Sequence, residues 1–160
     1  MKQEEINEII RKHKLWQDNK DGGERAVLCG SDLHEANLSE ANLYFADLSD
    51  ANLIASRLSN ANLRGAVLSE ANLHFADLRE ADLRNANLRL ADMRGSDLSG
   101  AYFYGSDLRW AKLSEANLLG ADLRWANLLG ADLRGAKMSQ QDMDAAALTK
   151  EQRDSIVVCD

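Results

Sequence analysis

The sequence predicts an all-β solenoid whose chain turns a corner every five residues. Three observations predict it: a gapless five-residue period from Ala26 to Lys150, a large apolar residue at the third place of each unit, and a small one at the first. The text parses into 25 pentads, beginning Ala26-Val-Leu-Cys-Gly and Ser31-Asp-Leu-His-Glu. The first place is Ala in 20 units, Ser in four (Ser31, Ser56, Ser96, Ser106) and Gln only at Gln141. The third is Leu in 21, with Met93, Phe103, Met138 and Met143 as the exceptions.

A period of five suits neither regular element. In an α-helix, at about 100° per residue, successive leucines advance by about 140° and scatter round the cylinder. A long strand fails because five is odd, so each repeat sends its Leu to the opposite face. The chain must therefore turn once per repeat. Within a pentad, Ala-x-Leu has the spacing of an extended segment with both side chains inward, and the last two residues make the corner. Successive turns stack at about 4.8 Å, each pairing its backbone groups with the turns above and below.

Tandem units such as Ala121-Asp-Leu-Arg-Trp and Ala131-Asp-Leu-Arg-Gly resemble the pentapeptide-repeat family, and the resemblance covers 125 of 160 residues. It implies a right-handed quadrilateral β-helix with four pentads per coil. On that geometry 25 pentads make about six coils and a rod about 30 Å long. Residues 20 apart then stack in columns, and Leu43, Leu63, Leu83, Phe103 and Leu123 form one ladder of the core.

The elements follow in chain order. Residues 1–25 are read as a capping helix and loop: Ile6, Ile9, Ile10, His13 and Trp16 make one helical stripe, and Asp21-Gly-Gly marks the exit. Glu4, Glu5 and Glu8 near the start and Arg11, Lys12 and Lys14 toward the end complement the helix dipole. An open solenoid end exposes its core, so the stripe is expected to lie over the first coil, with His13 as a satisfied cap residue. Residues 26–150 are the β-helix. Residues 151–160 are a short tail, with a helix suggested by Thr149-Lys-Glu-Gln-Arg-Asp; it folds over the last coil or meets a second copy.

Composition narrows the function. The net charge is −7, which argues against binding nucleic acid, because that affinity comes from neutralising phosphates with Lys and Arg. No apolar run approaches the roughly 20 residues of a membrane span, and the acidic start lacks signal-peptide character, so a cytoplasmic protein with no membrane contact is expected. Cys29 and Cys159 have no zinc spacing, and His34 and His74 are separated in their column by Ile54, too far apart to share an ion. No phosphate loop or nucleophile elbow occurs, so no cofactor, no metal and no enzyme activity are expected.

What remains is surface. One fourth-position column carries Tyr44, Arg64, Arg84, Tyr104 and Arg124, with Tyr102 and Trp125 beside it. Tyr, Trp and Arg dominate binding hot spots, which makes this the candidate partner face; the competing reading is that Asp82 and Asp122 neutralise Arg84 and Arg124 in solvated pairs. Phe45, Phe75, Trp110 and Trp125 share the fifth position, where an aromatic can cover a stacked glycine. That account suits Phe75 and Trp125 and suits Trp110 less, since Leu90 is its other neighbour. The expected function is a non-catalytic protein-interaction or structural rod. The resemblance also implies an alternative, a DNA mimic that binds DNA gyrase or another type II topoisomerase, and a homodimer through the C-terminal end. With Lys150 left out, the four faces carry net charges of −2, −2, −1 and −1, so no face is a strong acidic stripe.

Overall fold

The structure is a computed structural model and describes residues 1–159. Its body is a parallel β-helix in which every second-position residue from Val27 onward bridges the residue twenty later: Val27 to Asp47, Asp32 to Asn52, Asn37 to Arg57, Asn42 to Asn62, and onward to Asn117 with Lys137. Four consecutive pentads therefore form the four sides of one turn. Each side contributes a single bridge residue rather than a long strand.

Three backbone hydrogen bonds recur at each step. The third-position N–H donates to the second-position carbonyl of the next turn (Leu28 to Asp47, 2.7 Å), and the second-position N–H donates back (Asp47 to Ala26, 3.0 Å). The fifth-position N–H donates to the fourth-position carbonyl above it (Gly30 to Ser49, 2.8 Å). Corners close within the chain, as in Ser31 N–H to Leu28 carbonyl at 3.1 Å. Within the body the first- to fourth-position carbonyls are paired in this way, and the fifth-position carbonyl of each pentad is the one without a backbone partner.

The second and fifth positions have chemical reasons that periodicity did not show. An Asp or Asn at the second position accepts the fourth residue's N–H on its side-chain oxygen, as Asn52 does from Ile54 (3.3 Å) and Asp77 from Arg79 (3.2 Å). This side chain-to-backbone turn fixes the corner and explains why Asp and Asn recur there. The fifth residue takes a left-handed backbone, with φ near +60° at Glu40 and Leu90. First- and third-position residues line the interior. Leu43, Leu63, Leu83 and Phe103 are fully buried and Leu123 nearly so, and Ser56 and Ser96 replace Ala by donating their hydroxyls to the Leu53 and Met93 carbonyls.

Helix α1 (Gln3–Gln17) lies against the first turn, burying Ile6 and His13, with Ile9 and Ile10 partly buried on the core. Its side chains occupy backbone groups that a preceding turn would have paired. Gln3 accepts from Asn37 N–H (3.0 Å) and donates to the Asn37 carbonyl (2.9 Å). His13 Nδ1 accepts from Ala26 N–H at 3.0 Å, while its Nε2 lies 3.0 Å from the Tyr44 carbonyl. An accepting Nδ1 puts the proton on Nε2, so His13 works as a neutral ring donating to Tyr44.

The far end departs from the expected boundaries. The coil pattern was expected to reach residue 150, but α2 (Gln140–Ala145) takes the place of the pentad 141–145 and α3 (Lys150–Ser155) follows the last pentad, with Ser139 and Thr149 as N-caps. The cause is local: Ser139 accepts from Asp142 N–H, which starts a helix where a corner was expected, and Thr149 accepts from Gln152 N–H at the start of the helix that its segment suggested. Gln141 is exposed in α2, whereas the small first-position residues of the body are nearly all buried. The twenty-residue step nevertheless survives. β1 (Lys137–Met138) pairs in parallel with β2 (Val157–Val158), Lys137 opposite Val157. The tail thus folds back as the last piece of one side, and Met138, Met143, Ala146 and Ile156 join the core. Asp142 accepts from Gly120 N–H (2.9 Å), and the Gln152 amide donates to the Leu128 and Ala131 carbonyls (2.8 and 3.1 Å). Among the described residues no helix is long and apolar enough to cross a membrane.

Candidate functional site

The side built on Asn42, Asn62, Asp82, Tyr102 and Asp122 carries the candidate partner face, and the bridges Asn42–Asn62, Asn62–Asp82, Asp82–Tyr102 and Tyr102–Asp122 bring its residues into one stack. Tyr102 and Tyr104 are exposed, and Trp125 at the adjoining corner is the most exposed large apolar side chain, at 80%. Tyr44 is half-buried beneath α1 and meets Phe45 edge to face at 4.3 Å.

The arginines of this face differ from one another for a reason written in their own pentads. Arg84 holds Asp82 in a two-pronged pair, Nε to Oδ1 at 2.8 Å and Nη2 to Oδ2 at 2.6 Å. Arg124 does the same with Asp122. Arg79, Arg94, Arg109 and Arg134 repeat the arrangement on the other sides. A carboxylate two residues before an arginine across one corner fits the planar guanidinium fork. In consequence the Arg84 hydrogen bonds hold the Asp82 carboxyl below its ordinary value, and those of Arg124 do so for Asp122. Where the second position is Asn, the fork is left open: among the described residues, neither Arg64 (after Asn62) nor Arg89 (after Asn87) makes an ion pair. The neutralising pairs are therefore present at Arg84 and Arg124 and absent at Arg64. Each such pair remains solvent-accessible and contributes little to stability.

The glycine-covering account needs correcting. An added Cβ on Gly65 would meet the Phe45 ring at 2.6 Å, and one on Gly95 the Phe75 ring at 2.5 Å; the Trp110 ring covers Gly130 in the same way. Fifth-position rings lean toward the next turn, so Trp110 is explained and Trp125 is not. The position one step beyond Trp125 is Ala145, in α2 and not a glycine, and Gly105 is approached by Asn85 instead.

The sequence reading did not join Trp16, Gln17 and Asn19 to this face. They end α1 and its exit, which cross the face so that Gln17 and Asn42 exchange hydrogen bonds (Asn42 Nδ2 to Gln17 Oε1, 2.6 Å). The signal present in the sequence was Gln17 and Asn19 following a stripe-ending Trp16, which only the direction of α1 makes meaningful. Among the described residues no group of three or more His, Cys, Asp or Glu side chains is placed to hold a metal ion.

A four-sided parallel β-helix with apolar or small first and third positions, aspartate- or asparagine-built corners and side chains displayed in columns defines a solenoid repeat protein. The profile of the family described as pentapeptide repeats matches in eight copies over residues 24–53, 46–85, 76–109 and 101–140. The chain belongs to the pentapeptide-repeat family. Similar solved structures include HetL, a pentapeptide-repeat protein involved in heterocyst differentiation regulation from the cyanobacterium Nostoc sp. strain PCC 7120. It is 38% identical over 72% of this chain, with a TM-score of 0.34, and the match spans 62% of HetL, less than two thirds of its length. Rfr23 from the cyanobacterium Cyanothece 51142 is 22% identical over 84% of this chain and 96% of its own, with a TM-score of 0.43. QnrB1, a plasmid-mediated fluoroquinolone resistance protein, is 14% identical over 84% of each chain, with a TM-score of 0.48. Among curated proteins, none matches the chain.

Proposed function

We propose that this chain is a non-catalytic interaction rod of the cytoplasm: a right-handed solenoid of about six turns, counting the helix-containing last one, capped by residues 1–25, that binds a protein partner through the face of Tyr44, Arg64, Arg84, Tyr102, Tyr104, Arg124 and Trp125. The observation that carries the reading is the exposed pair Tyr102 and Tyr104 in the turn between Arg84 and Arg124, which Asp82 and Asp122 already orient. Fixed guanidinium groups and rigid aromatic rings lose little conformational freedom on binding, which favours contact there. The cap reading is supported by the way Gln3 and His13 occupy the first turn's free backbone groups.

The alternative is a DNA mimic acting on a type II topoisomerase. Of the second-position aspartates, Asp77, Asp82, Asp92, Asp107, Asp122 and Asp132 are each covered by an arginine. Local neutralisation of this kind works against the continuous negative stripe that imitation of a phosphate backbone requires. A homodimer through the C-terminal end is supported by the exposed Val157 and Val158 of β2.

The test is a pull-down from host lysate followed by binding measurements on the captured protein. Arg84→Glu and Tyr104→Ala are expected to weaken binding at least about tenfold each, the size of a hot-spot loss. Glu80→Arg, on another side, is the control. Equal loss with the control, or none with the first two, assigns the partner to a different face, and capture of gyrase subunits establishes the alternative.

A further inference from the structure

Where α1 crosses the tyrosine-arginine side, the structure forms a groove of about 480 Å³ lined by Trp16, Gln17, Asn19, Asn42, Tyr44 and Asn62. Its lining is two aromatic rings and four carboxamides, without one charged side chain, in a chain of which 28% is charged. The volume lies within the range of small-molecule sites.

The walls are held before any ligand arrives. Trp16 stacks on the buried His13 ring, with centroids 5.3 Å apart and planes inclined by 13°, which covers one face of the indole, and the residue remains 37% exposed. Tyr44 is braced edge to face by Phe45. The amides form a chain: Asn62 Nδ2 donates to Asn42 Oδ1 (3.0 Å), Asn42 Nδ2 donates to Gln17 Oε1 (2.6 Å), and Gln17 Nε2 donates back to Asn42 Oδ1 (3.3 Å). Each of the Asn42 and Asn62 amide groups uses one N–H in this chain and retains a second. Among the described residues, the Asn19 amide and the Tyr44 hydroxyl enter no side-chain hydrogen bond, so donors and acceptors of both kinds remain for a ligand.

We propose that this groove binds a neutral saccharide of one or two pyranose rings. A pyranose offers an apolar face of C–H groups, which suits a flat aromatic wall, and a rim of hydroxyls that both donate and accept, which suits carboxamides better than charges. An extended peptide fits less well. Its backbone needs amides repeating along its path, and the amide column ends at Asn62 because Asp82 follows, already occupied by Arg84. The six lining residues offer no deep apolar pocket for a side chain. The groove lies at the α1 end of the partner side, and of the residues proposed to contact the partner it uses only Tyr44.

The experiment is saturation-transfer NMR on the full chain with cellobiose, maltose and N,N′-diacetylchitobiose, and tetra-alanine as the peptide arm. At least one disaccharide is expected to receive saturation from the protein. Titration should then give an affinity that falls about tenfold or more in both Tyr44→Ser and Asn19→Ala, with circular dichroism unchanged. Trp125→Ala, at the far end, should bind as the wild type does. Asn19 is not among the residues proposed to contact the partner, so partner binding measured in Asn19→Ala separates a loss of saccharide binding from a loss of the partner face. Transfer to none of the three sugars, transfer that survives both substitutions, or transfer to the peptide alone overturns the proposal.

Discussion

The fifth residue of each pentad carries most of the backbone strain in this fold. Fourteen of the fifteen non-glycine residues with positive φ are fifth-position residues, Asn19 being the other. Each such L-residue costs on the order of 1 kcal/mol relative to glycine, so glycine at a corner relieves strain and leaves backbone bare. Phe75 shows how that surface is used: its ring lies where the Gly95 Cβ would be. Gly95→Ala therefore combines two costs, a left-handed alanine (φ +63°) and displacement of the ring. Urea denaturation should show a loss of about 1–2 kcal/mol for Gly95→Ala in the wild type. In a Phe75→Ala background the same substitution should cost about 0.5–1 kcal/mol less, because no ring is left to displace. Additive losses would mean that the ring does not depend on the missing Cβ. Period-five spacing exposed the column, but the direction in which the rings lean was not legible, which is why Trp125 was paired with a glycine it does not touch.

The terminal elements show how side chains substitute for a missing turn. The stripe of Ile6 and His13 was legible because helical spacing is a strong signal, and α1 forms over Gln3–Gln17. Gln3 and Gln152 were not legible, since a long amide that mimics a strand edge looks like any surface glutamine until both ends of its contact are known. The α2 segment was hidden differently: Met143 keeps an apolar third position, so the pentad frame read on through it, whereas α3 falls on the 149–154 stretch that already suggested a helix. His13 makes the N-terminal element sensitive to pH. Burial, set against the Tyr44 hydrogen bond, lowers its pKa from 6.5, so the folded state binds fewer protons than the unfolded state once pH falls to that value. Its stabilisation is complete above about pH 6.5 and is lost as pH falls from there through the lowered folded value. Protonated Nδ1 has nothing to accept with, and the Ala26 N–H loses its partner. Melting temperatures measured from pH 7.5 to pH 5 should fall in the wild type and fall less in His13→Gln, which is already destabilised at pH 7.5. Parallel curves would remove His13 from the account. The aspartates held low by arginines act below their ordinary 3.8, outside this window.

At the scale of the whole rod, the uniform step of twenty makes each turn a neighbour only of the turns beside it, from Val27–Asp47 at one end to Lys137–Val157 at the other. Stability in such an array is approximately a sum of turns and interfaces, so an interior turn contributes without being individually required. Residues 66–85 are one such turn, with Leu68, Leu73, Leu78 and Leu83 fully buried. Deleting them joins Gly65 to Ala86 and keeps every later residue on its own side: Leu88 takes the column place of Leu68, Arg57 stacks under Asp97, and Phe103 follows Leu63. The Phe45–Gly65 contact, the Gln3–Asn37 and His13 contacts at one end, and the Gln152 and β2 contacts at the other all lie outside the excised turn. The shortened chain is therefore expected to keep a β-type far-UV spectrum and a single cooperative transition, at a lower melting temperature because one turn and one interface are gone. It should also lose Arg84 from the proposed partner face while retaining the groove at α1, so saccharide binding persists where partner binding weakens. Loss of the β signal would show that the twenty-residue register is not sufficient for folding and that this particular turn is required.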